Sequence, residues 1–216
     1  MAIALISCIL IGYVVGCINP SYIISRIKGF DIRKKGSGNA GASNAVMVMG
    51  KAVGVASALF DIAKAYFAVW LAGWLFLEDL TFAREVAGTA CIVGHILPFY
   101  MRFRGGKGLA CLGGVILYYD WTVFLIMLAV EIVIVFVTDY LCFVPITASV
   151  AFPIIYAVRA DAETRLIGTL IYLIATALML VKHIENIRRI KNGTEAHFSF
   201  LWRKDKEMER LGLKDE

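Results

Sequence analysis

Charge is scarce in this sequence. Only 18% of its 216 residues are Asp, Glu, Lys or Arg, 60% are hydrophobic, and mean hydropathy is +0.75. A soluble domain carries about 25% charged and about 45–50% apolar residues, so water cannot be the only solvent of this fold. Proline is scarce too, at four residues, and no low-complexity linker or internal repeat interrupts the chain. Period-two alternation is missing, which argues against membrane-facing strands. The cysteines, Cys8, Cys17, Cys91, Cys111 and Cys142, lack disulfide-type spacing and lie in or beside apolar stretches. There they read as small buried hydrophobes. No His/Cys/Asp/Glu grouping shows ligand spacing, so neither a metal nor another cofactor is expected.

What the sequence has is long apolar stretches. They cover residues 2–24, 52–77, 86–101, 109–119, 122–137, 142–158 and 166–181. A helix needs about 20 apolar residues to cross the hydrocarbon core. The expectation is an all-α integral membrane protein, a polytopic bundle of about seven transmembrane helices. The first stretch has neither a basic leader nor a small-residue cleavage site, so it is expected to remain as a helix. Residues 1–216 read as one membrane-embedded domain, with 198–216 as a cytoplasmic tail whose mixed charges suggest a solvated helix or disorder.

Basic residues set the orientation. With seven crossings, eighteen of the 22 lysines and arginines fall on one side and three on the other, with Lys64 inside a span. That places the C-terminus in the cytoplasm and the N-terminus outside. The same bias accounts for the net charge of +5 without invoking nucleic acid.

Three polar segments fall on the cytoplasmic side of that topology. The first runs from Lys35 through Ser37, Gly38, Asn39, Gly41 and Ser43 to Asn44, next to Arg33 and ahead of a helix. Glycines permit close backbone approach, and helix N-terminal amides favour anions. A phosphate cradle and a plain flexible loop both fit this composition. The second is Arg102-Phe-Arg-Gly-Gly-Lys-Gly108, where Lys107 is a point charge suited to phosphate. Arg102 and Arg104 serve equally as topology anchors. The third spans 182–195, with His183 and Asn186 on one helix face and Gly193 as a C-cap. A juxtamembrane basic helix explains its arginines and lysines but not His183 or Glu195.

Ionisable groups also lie within spans, where they are functional candidates by default. Asp61 and Lys64 are one turn apart and can pair, for structure or for function. Glu131 stands without an evident partner. His95 reads as a satisfied interior histidine.

Taken in order, Gly16-Cys-Ile, Lys28-Gly-Phe-Asp-Ile-Arg33, the 36–44 segment, Asp61-Ile-Ala-Lys64, Gly94-His95, 103–110, 183–190 and Gly193-Thr-Glu resemble the bacterial acyl-phosphate:glycerol-3-phosphate acyltransferase family (PlsY). The resemblance covers almost the whole chain. It implies a seven-helix membrane bundle opening to the cytoplasm in a bacterial cell membrane. It implies acyl transfer from acyl phosphate to the first hydroxyl of glycerol 3-phosphate, giving lysophosphatidic acid and phosphate. Carried onto this chain, it implies catalytic roles for Ser37, Asn39, Lys107, His183 and Asn186. It implies substrate-phosphate binding by Arg33, Gly38, Gly41, Ser43, Asn44, Arg104, Gly105, Gly106, Gly108, Arg189 and Glu195. The expected partners are those two substrates and the bilayer.

Acyl phosphate is already activated, and no Ser-His-Asp pattern is present. Direct attack without an acyl-enzyme is therefore expected, with proximity supplying much of the rate. The chain departs from the family pattern at several points. Ser43 replaces threonine and Met47 stands where arginine is usual. Ala65 replaces glycine, and Leu109 and Cys111 replace valine and threonine. Ile184 replaces arginine and His197 replaces lysine. These mark a divergent member. The alternatives are a transporter of a small phosphorylated solute and a catalytically altered paralogue. The three clusters on one face and the lack of repeats weigh against transport.

Overall fold

The computed structural model describes residues 1–203, 207, 209 and 210. The remaining tail residues, including Lys204, Lys206 and Lys214 from the orientation argument, lie outside the described set. Among the described residues all regular structure is helical: α1 (Ala2–Cys17), α2 (Pro20–Ile27), α3 (Ala42–Met49), α4 (Lys51–Phe76), α5 (Ala83–Ile96), α6 (Leu109–Tyr119), α7 (Trp121–Thr138), α8 (Phe143–Arg159) and α9 (Ala162–Lys191).

The first apolar stretch is not one helix. The chain bends by 41° between α1 and α2. Pro20 has no amide to continue α1, and the Asn19 side chain caps α2 by accepting from the Tyr22 amide at 2.8 Å. That diverts the donor that would otherwise reach Ile18, and Lys64 Nζ takes the freed Ile18 carbonyl at 2.5 Å. The third stretch also ends early, at Ile96, because Pro98 pushes Leu97 out of helical geometry. The last runs on past 181 to Lys191, so His183 and Asn186 ride on a helix.

Three helices, α4, α7 and α9, are long and apolar enough to cross a membrane alone, and the bent pair α1–α2 makes a fourth. The 26 residues of α4 reach about 39 Å at 1.5 Å per residue, beyond the about 30 Å of hydrocarbon. At 14 and 11 residues, α5 and α6 are shorter than a full crossing. They sit inside the bundle. Gly12 and Gly16 of α1 lie directly on the α5 backbone, where a Cβ would strike the Ala87 and Cys91 carbonyls. Small residues at such seams are how helices associate in lipid. Phe152, Tyr156, Tyr172 and Met179 fill the core on the α8–α9 side. Leu10, Trp74, Ile126, Val137 and Leu166 point outward, exposed. A girdle of that extent belongs against lipid.

The Asp61–Lys64 pair expected from sequence forms at 2.6 Å and is buried. His95 joins it, with Nδ1 3.3 Å from Asp61 and 3.2 Å from Lys64 Nζ. Asp61, His95 and Cys111 bring candidate metal-ligand atoms within 4.8 Å of one another, a grouping that sequence spacing conceals. The Lys64 ammonium already supplies the positive charge between Asp61 and His95, so the cluster is an internal ion network. Glu131 has a partner after all: the Thr147 hydroxyl of α8 donates to it at 2.7 Å. The described part of the tail is docked rather than solvated. The Phe198 amide donates to the Asp139 carbonyl at 2.6 Å, and Arg210 donates to the Gly193 and Glu195 carbonyls.

Candidate active site

Successive helices from α4 to α9 run alternately up and down, so residues 31–44, 102–108 and the end of α9 meet at one end of the bundle. Direct contacts stitch them together. Arg33 is gripped by Asp31 at 2.7 Å, stacks on Tyr22 at 4.8 Å, and donates to the Met101 carbonyl at 2.6 Å. It thereby ties the first loop to the second. The Asp31 carboxyl is held below its usual range, chiefly by this hydrogen bond to Arg33. Lys107 Nζ reaches Asn186 Oδ1 of α9 at 2.5 Å, tying the second loop to the third segment.

In the first loop one side chain is the organiser. Asn44 is fully buried. Its Nδ2 donates to the Ile32, Lys35 and Asn39 carbonyls at 3.1, 3.0 and 2.7 Å. Its Oδ1 accepts from the Ser37 amide at 2.8 Å. Gly36 and Gly38 supply the positive φ angles, +58° and +74°, that let the chain wrap around it. Asn44 was expected to bind phosphate, but its polar atoms are already taken up by the loop. What the loop leaves open is backbone. Among the described residues the amides of Ala42, Ser43 and Asn44, the first turn of α3, have no acceptor. The Ser37 and Ser43 side chains are exposed and Asn39 is half-buried.

The second loop is built the other way. The Gly105 amide donates to the Ile96 carbonyl and the Gly106 amide to the His95 carbonyl, each at 3.0 Å. These two glycines were expected to present amides to phosphate, and their amides instead finish the end of α5. Gly106 also has no room for a side chain, since a Cβ would strike His95 Nε2. Gly108 sits at φ +91° and opens α6. Lys107 between them is largely shielded. Burial pushes its pKa below the lysine value of 10.5, with Glu195 opposing the shift. Among the described residues it has no carboxylate within ion-pair distance. Arg104 is exposed, and its carbonyl rather than its guanidinium meets Arg33, at 3.4 Å.

On α9, His183 is 1% exposed and its Nδ1 lies 2.7 Å from the Met179 carbonyl. A carbonyl only accepts, so Nδ1 carries the proton and Nε2 keeps a lone pair. Asn186 Nδ2 donates to Glu195 Oε1 at 2.5 Å, and Arg189 Nε donates to Glu195 Oε2 at 2.6 Å. Glu195 and Arg189 were expected to hold phosphate. A carboxylate repels phosphate, and here Glu195 orients Asn186, which in turn holds Lys107. Gly193, at φ +70°, ends α9 as expected: its amide reaches Ile190 and the Thr194 amide reaches Arg189. Sequence reasoning missed Asp31 and Tyr22, which hold Arg33, and the Arg210 contact behind Glu195. Asp31, two residues before an arginine, was the one available signal.

The fold and this end of the bundle define a membrane-embedded enzyme with paired helix N-termini and a largely shielded lysine suited to phosphate chemistry. Residues 6–193 match the family described as glycerol-3-phosphate acyltransferase, and the chain belongs to that family. It is 34% identical to glycerol-3-phosphate acyltransferase 2 of Thermotoga maritima, over 86% of this chain and 92% of that one. It is 37% identical to the glycerol-3-phosphate acyltransferase of Geobacter sulfurreducens, over 87% and 94%. Among solved structures, PlsY (YgiH), an integral membrane glycerol 3-phosphate acyltransferase, superimposes in its glycerol 3-phosphate form with a TM-score of 0.82. The identity is 29%, covering 91% of this chain and 96% of that one. Its lysophosphatidic acid form gives 0.78. This chain is likewise an acyltransferase and an integral membrane protein, and the transporter alternative falls away.

Proposed function

We propose that this protein transfers a fatty acyl group from acyl phosphate to the sn-1 hydroxyl of glycerol 3-phosphate, releasing lysophosphatidic acid and inorganic phosphate. It does so at the cytoplasmic face of a bacterial cell membrane, in a chain of seven crossings with the N-terminus outside. The observation that carries this reading is Lys107: a shielded ammonium held by Asn186, beside the Leu109, Ala110 and Cys111 amides that open α6; among the described residues Lys107 has no carboxylate partner and those amides no acceptor. Those groups suit the two phosphates that the reaction brings together.

The substrate hydroxyl oxygen attacks the acyl carbonyl carbon. The new ester C–O bond forms, the bond from that carbon to the phosphate oxygen breaks, and phosphate leaves with the electron pair. The hydroxyl proton passes to His183 Nε2 or to a substrate phosphate oxygen. Lys107 and the α3 and α6 amides offset the charge that builds on the carbonyl oxygen and leaving phosphate. Ser37 and Asn39 line the first-loop side and orient the acceptor. No acyl-enzyme forms, because the donor is already activated and holding both substrates in place supplies much of the rate.

The test is phosphate release by the purified, detergent-solubilised protein given palmitoyl phosphate and glycerol 3-phosphate. Acceptor-dependent release with lysophosphatidic acid formed, and its loss in Lys107→Ala, is the expected result. Release without acceptor, or a covalent acyl-protein in quenched reactions, overturns the direct-transfer scheme. No release from folded protein would mean that Met47 and Ile184 redirect the site to another phosphorylated acceptor or abolish catalysis.

A further inference from the structure

At the opposite end of the bundle, the ends of α4, α6 and α8 and the starts of α5 and α9 line a cavity of about 410 Å³. Nothing in the acyl transfer uses it. Arg84 and Glu85, neighbours in the first turn of α5, both line it. The Arg84 guanidinium lies over the Tyr118 ring at 5.6 Å and against Gly73 of α4. Its Nε is buried without an acceptor, and among the described residues Arg84 makes no ion pair. Glu85 is 7% exposed; one carboxylate oxygen accepts from the Tyr156 hydroxyl at 2.7 Å, and the other is buried without a partner. The two side chains make no ion pair with each other, and among the described residues neither Arg84 Nε nor the second Glu85 oxygen has a partner, although Arg159, Asp161 and Glu163 also line the cavity. Leaving such groups buried and unsatisfied is costly.

A single ligand that carries both an anion and a cation satisfies both. Tyr119, Tyr156 and Tyr172 also line the cavity, and aromatic rings attract an ammonium. Arg159, tied to Asp120 at 2.7 Å, adds a second guanidinium for a phosphate. Depth narrows the choice. Trp74 in the last turn of α4 and Trp121 at the start of α7 are exposed at this same end, the aromatic belt expected at head-group level. We propose that this cavity binds a phosphate–ammonium zwitterion, the phosphoethanolamine head group, between Arg84 and Glu85.

Native mass spectrometry of the full chain in detergent, with phosphatidylethanolamine and phosphatidylglycerol at equal concentration, tests this. The expected result is preferential retention of phosphatidylethanolamine. Glu85→Gln still accepts from Tyr156 but loses its charge, and is expected to lower that retention about tenfold, the worth of one charged hydrogen bond. Arg84→Gln should do the same. Competition by free O-phosphoethanolamine assigns the site to the soluble compound as well as the lipid, and lack of competition assigns it to the bilayer lipid alone. Equal retention of both lipids by the unaltered protein overturns the proposal, whatever the variants do. So does a preference that survives both substitutions in variants whose thermal unfolding is unchanged.

Discussion

The loops at residues 31–44 and 102–108 have similar glycine-rich, basic compositions, but their hydrogen bonds are distributed in opposite ways. In 31–44 a side chain, Asn44, is used up inside the loop and the backbone amides of the α3 first turn stay open. In 102–108 the Gly105 and Gly106 amides are used up on the end of α5, and a side chain, Lys107, keeps donors beyond its bond to Asn186. The first loop therefore offers a fixed nest of dipoles and the second a single charge held by Asn186. Similar composition does not imply a similar role, because a polar group is available to a ligand only where the fold has not already used it.

Breaking the second loop at its charge is expected to have the largest effect. Lys107→Ala should lower kcat by about 10²–10³-fold, the usual cost of removing one electrostatic stabiliser, with thermal unfolding in detergent little changed. Next comes the first loop. Asn44→Ala leaves the Asn39 carbonyl and the Ser37 amide without partners, strips one donor each from the Ile32 and Lys35 carbonyls, and should cost about 3 kcal/mol of stability. Thermal unfolding should register that loss first, with activity recovering toward normal on cooling. The order of those two readouts, activity for Lys107 and stability for Asn44, is the contrast itself. A stability loss in Lys107→Ala matching that of Asn44→Ala would erase it.

The contrast also has a pH signature. Burial lowers the Lys107 pKa, so its charge is lost at a lower pH than for an ordinary lysine. Activity should fall on an alkaline limb that begins below 10.5. In Lys107→Arg the guanidinium stays protonated, so whatever activity remains should not show that limb in kcat against pH. The smallest effect concerns the missing cation of the first loop. Met47 lies one turn beyond Asn44 on α3, half-buried. Met47→Arg should lower KM for glycerol 3-phosphate by up to about tenfold, the worth of one charged hydrogen bond, and leave kcat nearly unchanged. No change in KM would mean that the α3 amides and Lys107 already saturate phosphate binding.

How far the site was legible depended on the kind of residue. Lys107, His183 and Asn186 stand out because a lone cation among glycines and a polar pair one turn apart have few structural reasons to occur. Glu195 was found for the right segment but the wrong task. Nothing local says that a carboxylate nine residues after Asn186 folds back to hold it at 2.5 Å. Gly105 and Gly106 were misassigned for the same reason: their acceptors, Ile96 and His95, belong to another element. The Arg84–Glu85 cavity left no trace in the sequence, since its walls come from five helix ends.

By itself the sequence determined the solvent of this protein, most of its helices and the family to which it belongs. Long apolar stretches and ordered polar motifs are local properties, and local chemistry decides them. Only the tertiary structure decided which polar groups remain available. It placed Lys64 on the carbonyl freed at the α1–α2 bend, occupied Asn44 with its own loop, and closed Gly106 onto His95. The reason is physical: in a low-dielectric interior every donor and acceptor must find a partner, and partners are assigned by distance in space, not by distance along the chain.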